Sequence, residues 1–82
     1  MPRFYFDVLD GEASTRDDTG VELPGLDAAE DEAVRAIVEI GQDSLPKRRG
    51  SELALHVRDE RGRPALTVTL LMRVRRPDPA KT

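Results

Sequence analysis

The chain of 82 residues contains no cysteine and no tryptophan, and it has a single histidine, His56. The absence of cysteine excludes a disulfide framework, thiolate zinc ligands and a cysteine nucleophile. No window approaches the roughly 18 consecutive apolar residues of a membrane-spanning helix. The first residues lead into a strand pattern and not into the apolar segment of a signal peptide. The sequence therefore predicts a cytoplasmic protein without a membrane partner, and any metal site would need carboxylates or His56.

A chain of this length suits one small domain, which buries only about 60 to 65 % of its unfolded surface. We expect residues 1–76 to form this domain and residues 77–82 to form a flexible C-terminal tail. Neither an internal repeat nor a low-complexity segment divides the chain.

One helix is predicted, from Leu26 to Leu45, because apolar residues recur there at intervals of three and four. Val34, Val38 and Leu45 lie beside this stripe and widen it. We expect the stripe to be buried against a sheet; its members are Leu26, Ala29, Ala33, Ala36, Ile37 and Ile40.

The ends of the predicted helix carry their own signals. Asp27 and Glu30 have the spacing of a capping box, in which the two side chains accept hydrogen bonds from free backbone N–H groups. Pro46 disfavours continuation of the helix beyond Leu45. The cations that follow complement the negative end of the helix dipole.

The remaining segments alternate apolar and polar residues, which is typical of half-buried strands. Strands are predicted at 3–9, 12–16, 51–59 and 65–75, and the second is expected at a sheet edge because it is weakly apolar. The element order predicts a two-layer ββαββ fold of the α+β class, with a four-stranded, mostly antiparallel sheet and the helix on one face.

The sheet face opposite the helix is expected to be apolar enough to contact a second copy of the chain. A homodimer, or an unidentified protein partner, is therefore predicted. The residues of this possible dimer face are Tyr5, Ala65, Thr67, Thr69 and Leu71.

The net charge of −3 conceals an asymmetry, since residues 1–45 carry −9 and residues 46–82 carry +6. A turn near Arg61 and Gly62 predicts a hairpin register that places Arg49 opposite Arg75. This register gathers a group that we call the basic pole: Lys47, Arg48, Arg49, Arg73, Arg75 and Arg76. Such a cluster could neutralise nucleic-acid phosphates. However, no aromatic residue is interleaved for base stacking, so a solvated charge cluster is favoured. In a further interpretation, the acidic and basic ends dock on a partner or on another copy.

Other candidate sites are better explained by local structure. The triplet Asp18-Thr19-Gly20 matches that of aspartic proteases, but it follows Arg16 and Asp17 instead of an apolar strand, and a turn is favoured. His56 has no partner in the sequence that would orient it as a general base.

The acidic residues are also given structural roles. Those at the helix start lack the ligand spacing of a calcium loop and suit the helix dipole. Asp7, Asp10 and Glu12 are interpreted as strand-end and turn residues. We therefore predict no catalytic residue, no metal and no cofactor.

The ordered pattern of short motifs resembles that of a family of small bacterial proteins that open with M-P-R-Y-Y-F-D-V-x-D-G. Here Phe4 stands where tyrosine is commoner, and Leu9 where a polar residue often stands. The residues that carry the resemblance are Met1-Pro2-Arg3-Phe4-Tyr5-Phe6-Asp7-Val8, Asp10-Gly11, Asp17, Gly20-Val21-Glu22-Leu23-Pro24, Ala28-Ala29, Glu32-Ala33, Val57-Arg58-Asp59-Glu60 and Gly62-Arg63-Pro64.

That family is a domain of unknown function, so the resemblance implies no activity. Residues 18–33 are also similar in architecture to RNase-H-like antitoxins of toxin–antitoxin pairs. The expected function is that of a non-enzymatic interaction module, and the alternative is a nucleic-acid-binding or antitoxin-like regulator that uses the basic pole.

Overall fold

The computed structural model describes residues 1–47 and 52–78. One helix packs on an antiparallel sheet, which confirms the predicted α+β class. In chain order the elements are β1 (Arg3–Asp10), β2 (Ala13–Thr15), β3 (Val21–Glu22), α1 (Leu26–Ser44), a 3-10 turn (Leu45–Lys47), β4 (Glu52–Arg58) and β5 (Pro64–Leu71).

The sheet has the order β2-β1-β4-β5, and β3 is a fifth strand that also pairs with β1. All of these pairings are antiparallel. The prediction of four strands missed β3, because Val21 and Glu22 are too few to show an alternating pattern. They pair with Phe4 and Arg3, so the chain is fixed to β1 immediately before it enters the helix.

The core lies between α1 and the inner faces of β4, β5 and β1. Leu53, Leu55 and Val57 of β4 are each at most 1 % exposed, because β4 lies between β1 and β5 and under the helix. The other buried apolar residues are Phe4, Ala29, Ala33, Ile37 and Leu45. Alternation on the strands and the helical stripe thus predicted the layer that is buried.

The predicted extent of the buried stripe was too wide. Leu26 is 51 % exposed because it lies at the start of the helix, beyond the sheet. Val34 and Val38 are 45 % and 46 % exposed, since they lie at the side of the stripe and not at its centre.

The predicted helix start was also wrong in its capping. Gly25 occupies the position before the first helical residue, and no side chain caps the helix. Asp27 lies within the first turn, two residues too far along the helix to act as the capping residue. The helix itself ends at Ser44, and the 3-10 turn includes Pro46.

The β4–β5 register differs by one residue from the predicted one. Leu53 faces Leu70 and Leu55 faces Val68. Residues that face each other lie on the same side of a sheet, so the inward leucines of β4 must face inward residues of β5. β5 is also shorter than predicted: its last paired residue, Leu71, faces Glu52, the first residue of β4.

Candidate functional site: the outer sheet face

The sheet face opposite α1, which we call the outer face, is formed by the side chains that alternate with the core residues of β1, β4 and β5. Strand pairing aligns these side chains in rows across the sheet. One row is Leu9, Ala54 and Thr69, and the next is Asp7, His56 and Thr67. The centre of this face is therefore built mostly from small and polar side chains.

A shallow depression of about 540 Å³ lies on the outer face. Ala54 and Leu9 contribute its apolar part, and Thr67 and Thr69 contribute hydroxyl groups. The His56 ring nitrogen Nδ1 lies 3.0 Å from Thr67 Oγ1, so this histidine is held by the neighbouring strand. Such a surface offers a few hydrogen bonds and a flat apolar patch.

Four residues of the predicted dimer face lie on this outer face, as the strand alternation indicates: Tyr5, Thr67, Thr69 and Leu71. Ala65 is an exception, because it lies at the irregularity of the β4–β5 pairing and packs against the core. Thr67, Thr69 and Leu71 are exposed, and Leu71 is 54 % exposed. Ala65 and Tyr5 are half-buried. The Arg58 guanidinium lies over the Tyr5 ring, with its central carbon 4.9 Å from the ring centroid.

At one end of the outer face Arg58 forms a two-point ion pair with Asp7. Arg58 Nε donates to Asp7 Oδ2 at 2.6 Å, and Arg58 Nη2 donates to Asp7 Oδ1 at 3.0 Å. The two side chains are 16 % and 20 % exposed. Arg58 Nη2 also donates to the backbone carbonyl of Asp17 at 2.9 Å. The guanidinium therefore joins β4 and β1 to the loop between β2 and β3.

Asp17 is the centre of that loop. Its Oδ2 accepts a hydrogen bond from Phe6 N at 3.0 Å, and its Oδ1 accepts from Thr19 N at 3.0 Å and from Gly20 N at 3.1 Å. The Asp17 N–H itself donates to Asp7 Oδ1 at 2.9 Å. One carboxylate thus forms the turn and anchors it to the first strand.

The same loop contains the triplet Asp18-Thr19-Gly20, which was interpreted as a turn and lies outside any strand. Gly20 has a φ of 74°, a conformation that favours glycine. A Cβ at this position would lie 2.9 Å from Tyr5 Cε1 and 3.0 Å from the carbonyl oxygen of Phe4. Only glycine allows the loop to approach β1 so closely.

The environment stabilises the ionised form of three aspartates. Hydrogen bonds from Arg58 hold the pKa of Asp7 below its usual value. Burial raises the pKa of Asp17, but the three backbone N–H groups that donate to it outweigh this effect, and its pKa is also lowered. Backbone and side-chain donors from Arg63, with the Arg61 N–H, lower the pKa of Asp59.

These lowered pKa values predict a loss of stability in acid. Above about pH 5 both the folded and unfolded states carry ionised aspartates, and the full stabilisation is present. As the pH falls below about 4, the unfolded chain takes up protons before the folded one does, so the stability decreases. We expect the melting temperature to stay level from pH 7 to about 5 and to fall below that, as measured by circular dichroism. A melting temperature that rises in acid would contradict this assignment.

Asp59 organises the turn between β4 and β5. Its Oδ1 accepts hydrogen bonds from the N–H groups of Arg61 and Arg63, both at 2.9 Å. Gly62 has a φ of 80°, and its N–H donates to the Asp59 carbonyl at 2.9 Å. The turn predicted near Arg61 and Gly62 is therefore present, and it is closed by an aspartate.

The basic pole is only partly within the described residues. Lys47 lies exposed in the 3-10 turn, while Arg73, Arg75 and Arg76 are exposed in the segment that follows β5. β5 ends at Leu71, so Arg73 and Arg75 lie beyond the strand. The predicted positions of Arg48 and Arg49, of Ser51, and of residues 79–82 in the tail lie outside the described part of the chain.

The network of Asp7, Asp17 and Arg58 was not predicted from the sequence. Asp17 lies 10 positions after Asp7, and Arg58 lies 41 positions after Asp17, so no local pattern connects them. One signal was available, because all three belong to the motifs that carry the family resemblance.

The described residues contain no group of three or more histidine, aspartate or glutamate side chains that could hold a metal ion. Within residues 1–47 and 52–78, no helix has the length and apolar character needed to cross a membrane.

The fold and the site define a small two-layer α+β domain, in which none of the described elements covers one sheet face and an internal ion pair fixes the loop beside it. The chain belongs to the family described as Domain of unknown function (DUF6894), whose model matches residues 3–71. This range contains the whole Asp7–Asp17–Arg58 network and every strand of the sheet. No curated protein and no solved structure matches the chain.

Proposed function

We propose that this domain is a non-enzymatic interaction module that self-associates, with the outer face as its contact surface. The observation that carries the proposal is an open sheet face whose centre consists of short side chains across three paired strands. Two such faces can approach to the roughly 10 Å separation of packed sheets without displacing large groups.

The state of the charged groups supports a non-catalytic role. A general base works best when its pKa lies near the working pH, but the pKa values of Asp7, Asp17 and Asp59 are lowered. Their oxygens accept hydrogen bonds from the protein itself. These carboxylates therefore stabilise the two loops that they organise.

Light scattering over a concentration series tests this proposal. We expect the wild-type mass to approach that of a dimer at tens of micromolar, and we expect Ala54→Lys to shift the mass towards that of the monomer. Ala54 lies at the centre of the depression on a strand that is paired on both sides. Ala13→Lys, on the exposed edge strand β2, is the matched control and should keep the wild-type mass. A wild-type monomer at high micromolar concentration would refute self-association.

A second candidate function is nucleic-acid binding, including an antitoxin-like regulatory role, by the basic pole. The observation that favours it is the run of exposed arginines after β5, at positions 73, 75 and 76. Retardation of DNA or RNA at about 50 mM salt, lost when Arg73 and Arg75 are changed to glutamate, would support this function. Arg61→Glu, in the β4–β5 turn, is the charge-matched control. Failure of the wild type to bind at low salt would exclude it.

A further inference from the structure

The outer edge of β5 is uncharged along its whole length. β5 is the last strand in the order β2-β1-β4-β5, so within the described residues only one of its two edges is paired. Its sequence is Pro-Ala-Leu-Thr-Val-Thr-Leu-Leu. Sheet proteins usually protect an edge with charges, an internal proline or a bulge. Here Pro64 is the first residue and the irregularity lies at the turn end, at Ala65, so Leu66 to Leu71 is unprotected.

The helix above this edge also leaves apolar side chains uncovered. α1 packs over β4 and β5, and a Cβ at Gly41 would lie 2.6 Å from Leu70 Cδ2, which places that side of the helix against β5. Val34 and Val38 precede Gly41 by seven and three residues, so they lie on the same side of the helix. Both valines are nearly half exposed. The helix layer and the sheet layer therefore both end in apolar groups at the β5 edge.

We propose that two copies of the chain join through their β5 edges, with the strands antiparallel about a twofold axis and with Val34 and Val38 of the two helices in contact above them. The inference rests on the self-association proposed above, and it adds the β5 edge as a second contact beside that of the outer face. The joined sheet has the order β2-β1-β4-β5-β5-β4-β1-β2, and the outer faces of both copies stay open on one side of it.

The spacing of the two layers supports this arrangement. Paired strands lie about 4.8 Å apart, so a helix centred between β4 and β5 lies about 5 Å from the twofold axis. The two helix axes are then about 10 Å apart, which agrees with the roughly 8 to 10 Å of packed helices. Val34 and Val38 are of a size that fills such a contact.

The charges favour a second copy as the occupant. An antiparallel arrangement places the start of one helix beside the end of the other. The start of α1 carries Asp27, Glu30 and Asp31, and Lys47 follows its end, so opposite charges meet on both sides of the axis. β5 meets itself without like charges within the strand. Arg63 and Arg73 flank the uncharged span, and the Arg63 guanidinium is already paired with Asp59 at 3.1 Å.

Val38→Asp tests the proposal, with Val21→Asp as the matched control. Both valines are nearly half exposed, but Val21 lies in β3, which pairs with β1 at the sheet edge opposite β5. Light scattering should show that Val38→Asp raises the dimer dissociation constant about 30-fold or more, because each dimer then carries two charges in the helix contact. Val21→Asp should dimerise like the wild type. A dimer that Val38→Asp leaves unchanged would overturn the proposal.

Hydrogen exchange of the wild type gives an independent measurement. Alternate amides of β5 should exchange more slowly as the protein concentration rises through the dimer range. Rapid exchange of all the outward β5 amides in a sample shown to be dimeric would overturn the edge contact. A dimer that Ala54→Lys abolishes and Val38→Asp leaves intact would keep the outer-face proposal and refute this one. A wild-type monomer would refute both.

Discussion

Ile37→Asp is expected to leave the domain unfolded at room temperature. The Ile37 side chain is 2 % exposed and lies in the buried stripe of α1. Removing such a side chain costs about 2 to 5 kcal/mol, and placing a carboxylate there adds the cost of an unpaired charge. Domains of this size have a total stability of about 4 to 12 kcal/mol. The substitution therefore removes most or all of the free energy of unfolding.

The matched control for this substitution is Leu26→Asp, at the start of the same helix. Leu26 is 51 % exposed, so its aspartate stays in contact with water and should cost less than about 1 kcal/mol. Far-ultraviolet circular dichroism and urea unfolding separate the two variants. Cooperative unfolding of Ile37→Asp at the wild-type urea midpoint would contradict the helix register on which the core rests.

The core of this fold could be predicted from the sequence because period alone determines which residues share a face. Phe4 and Val57 alternate with polar neighbours, and Ile37 recurs with helical spacing, so each was assigned correctly to the inner layer. The periodicity of the sequence does not, however, show how wide the contact between the helix and the sheet is. Val34 and Val38 are apolar and adjacent to the buried stripe, but their exposure depends on where the sheet ends below them.

In the β4–β5 hairpin, the turn residues and the need to pair inward residues with inward residues predict different registers. The turn residues predicted a pairing that would have placed Arg49 opposite Arg75. Three inward residues of β4 require inward partners, and this requirement places Leu53 opposite Leu70 instead. A register that is chosen to match faces first, and turn chemistry second, would have been correct here.

The ion network could not be predicted from the sequence by spacing. Asp7 and Arg58 are outward residues on two strands, and only the strand order brings them side by side. The pattern of a sequence fixes which residues face outward, but not which strands are neighbours. Asp17 depends on a further contact, since its loop must fold back over β1 before its carboxylate reaches Phe6 N.

Asp17→Ala is expected to destabilise the domain by about 2 to 4 kcal/mol. The substitution removes the acceptor of three backbone N–H groups, those of Phe6, Thr19 and Gly20. A partly buried donor that loses its partner costs about 1 to 3 kcal/mol, and the water that can reach an exposed loop recovers part of this cost. The loop should also separate from β1, because its closest approach at Gly20 is held by the same carboxylate.

Asp18→Ala is the matched control, since its side chain is 85 % exposed and its ion pair with Arg16 has a separation of 3.6 Å. It should change the free energy of unfolding by less than about 0.5 kcal/mol. Urea unfolding at pH 7 measures both variants, and Asp17→Ala should also show a weaker loss of stability below about pH 4, because one carboxylate with a lowered pKa is gone. If both variants unfolded at the same urea concentration as the wild type, Asp17 would not anchor the loop.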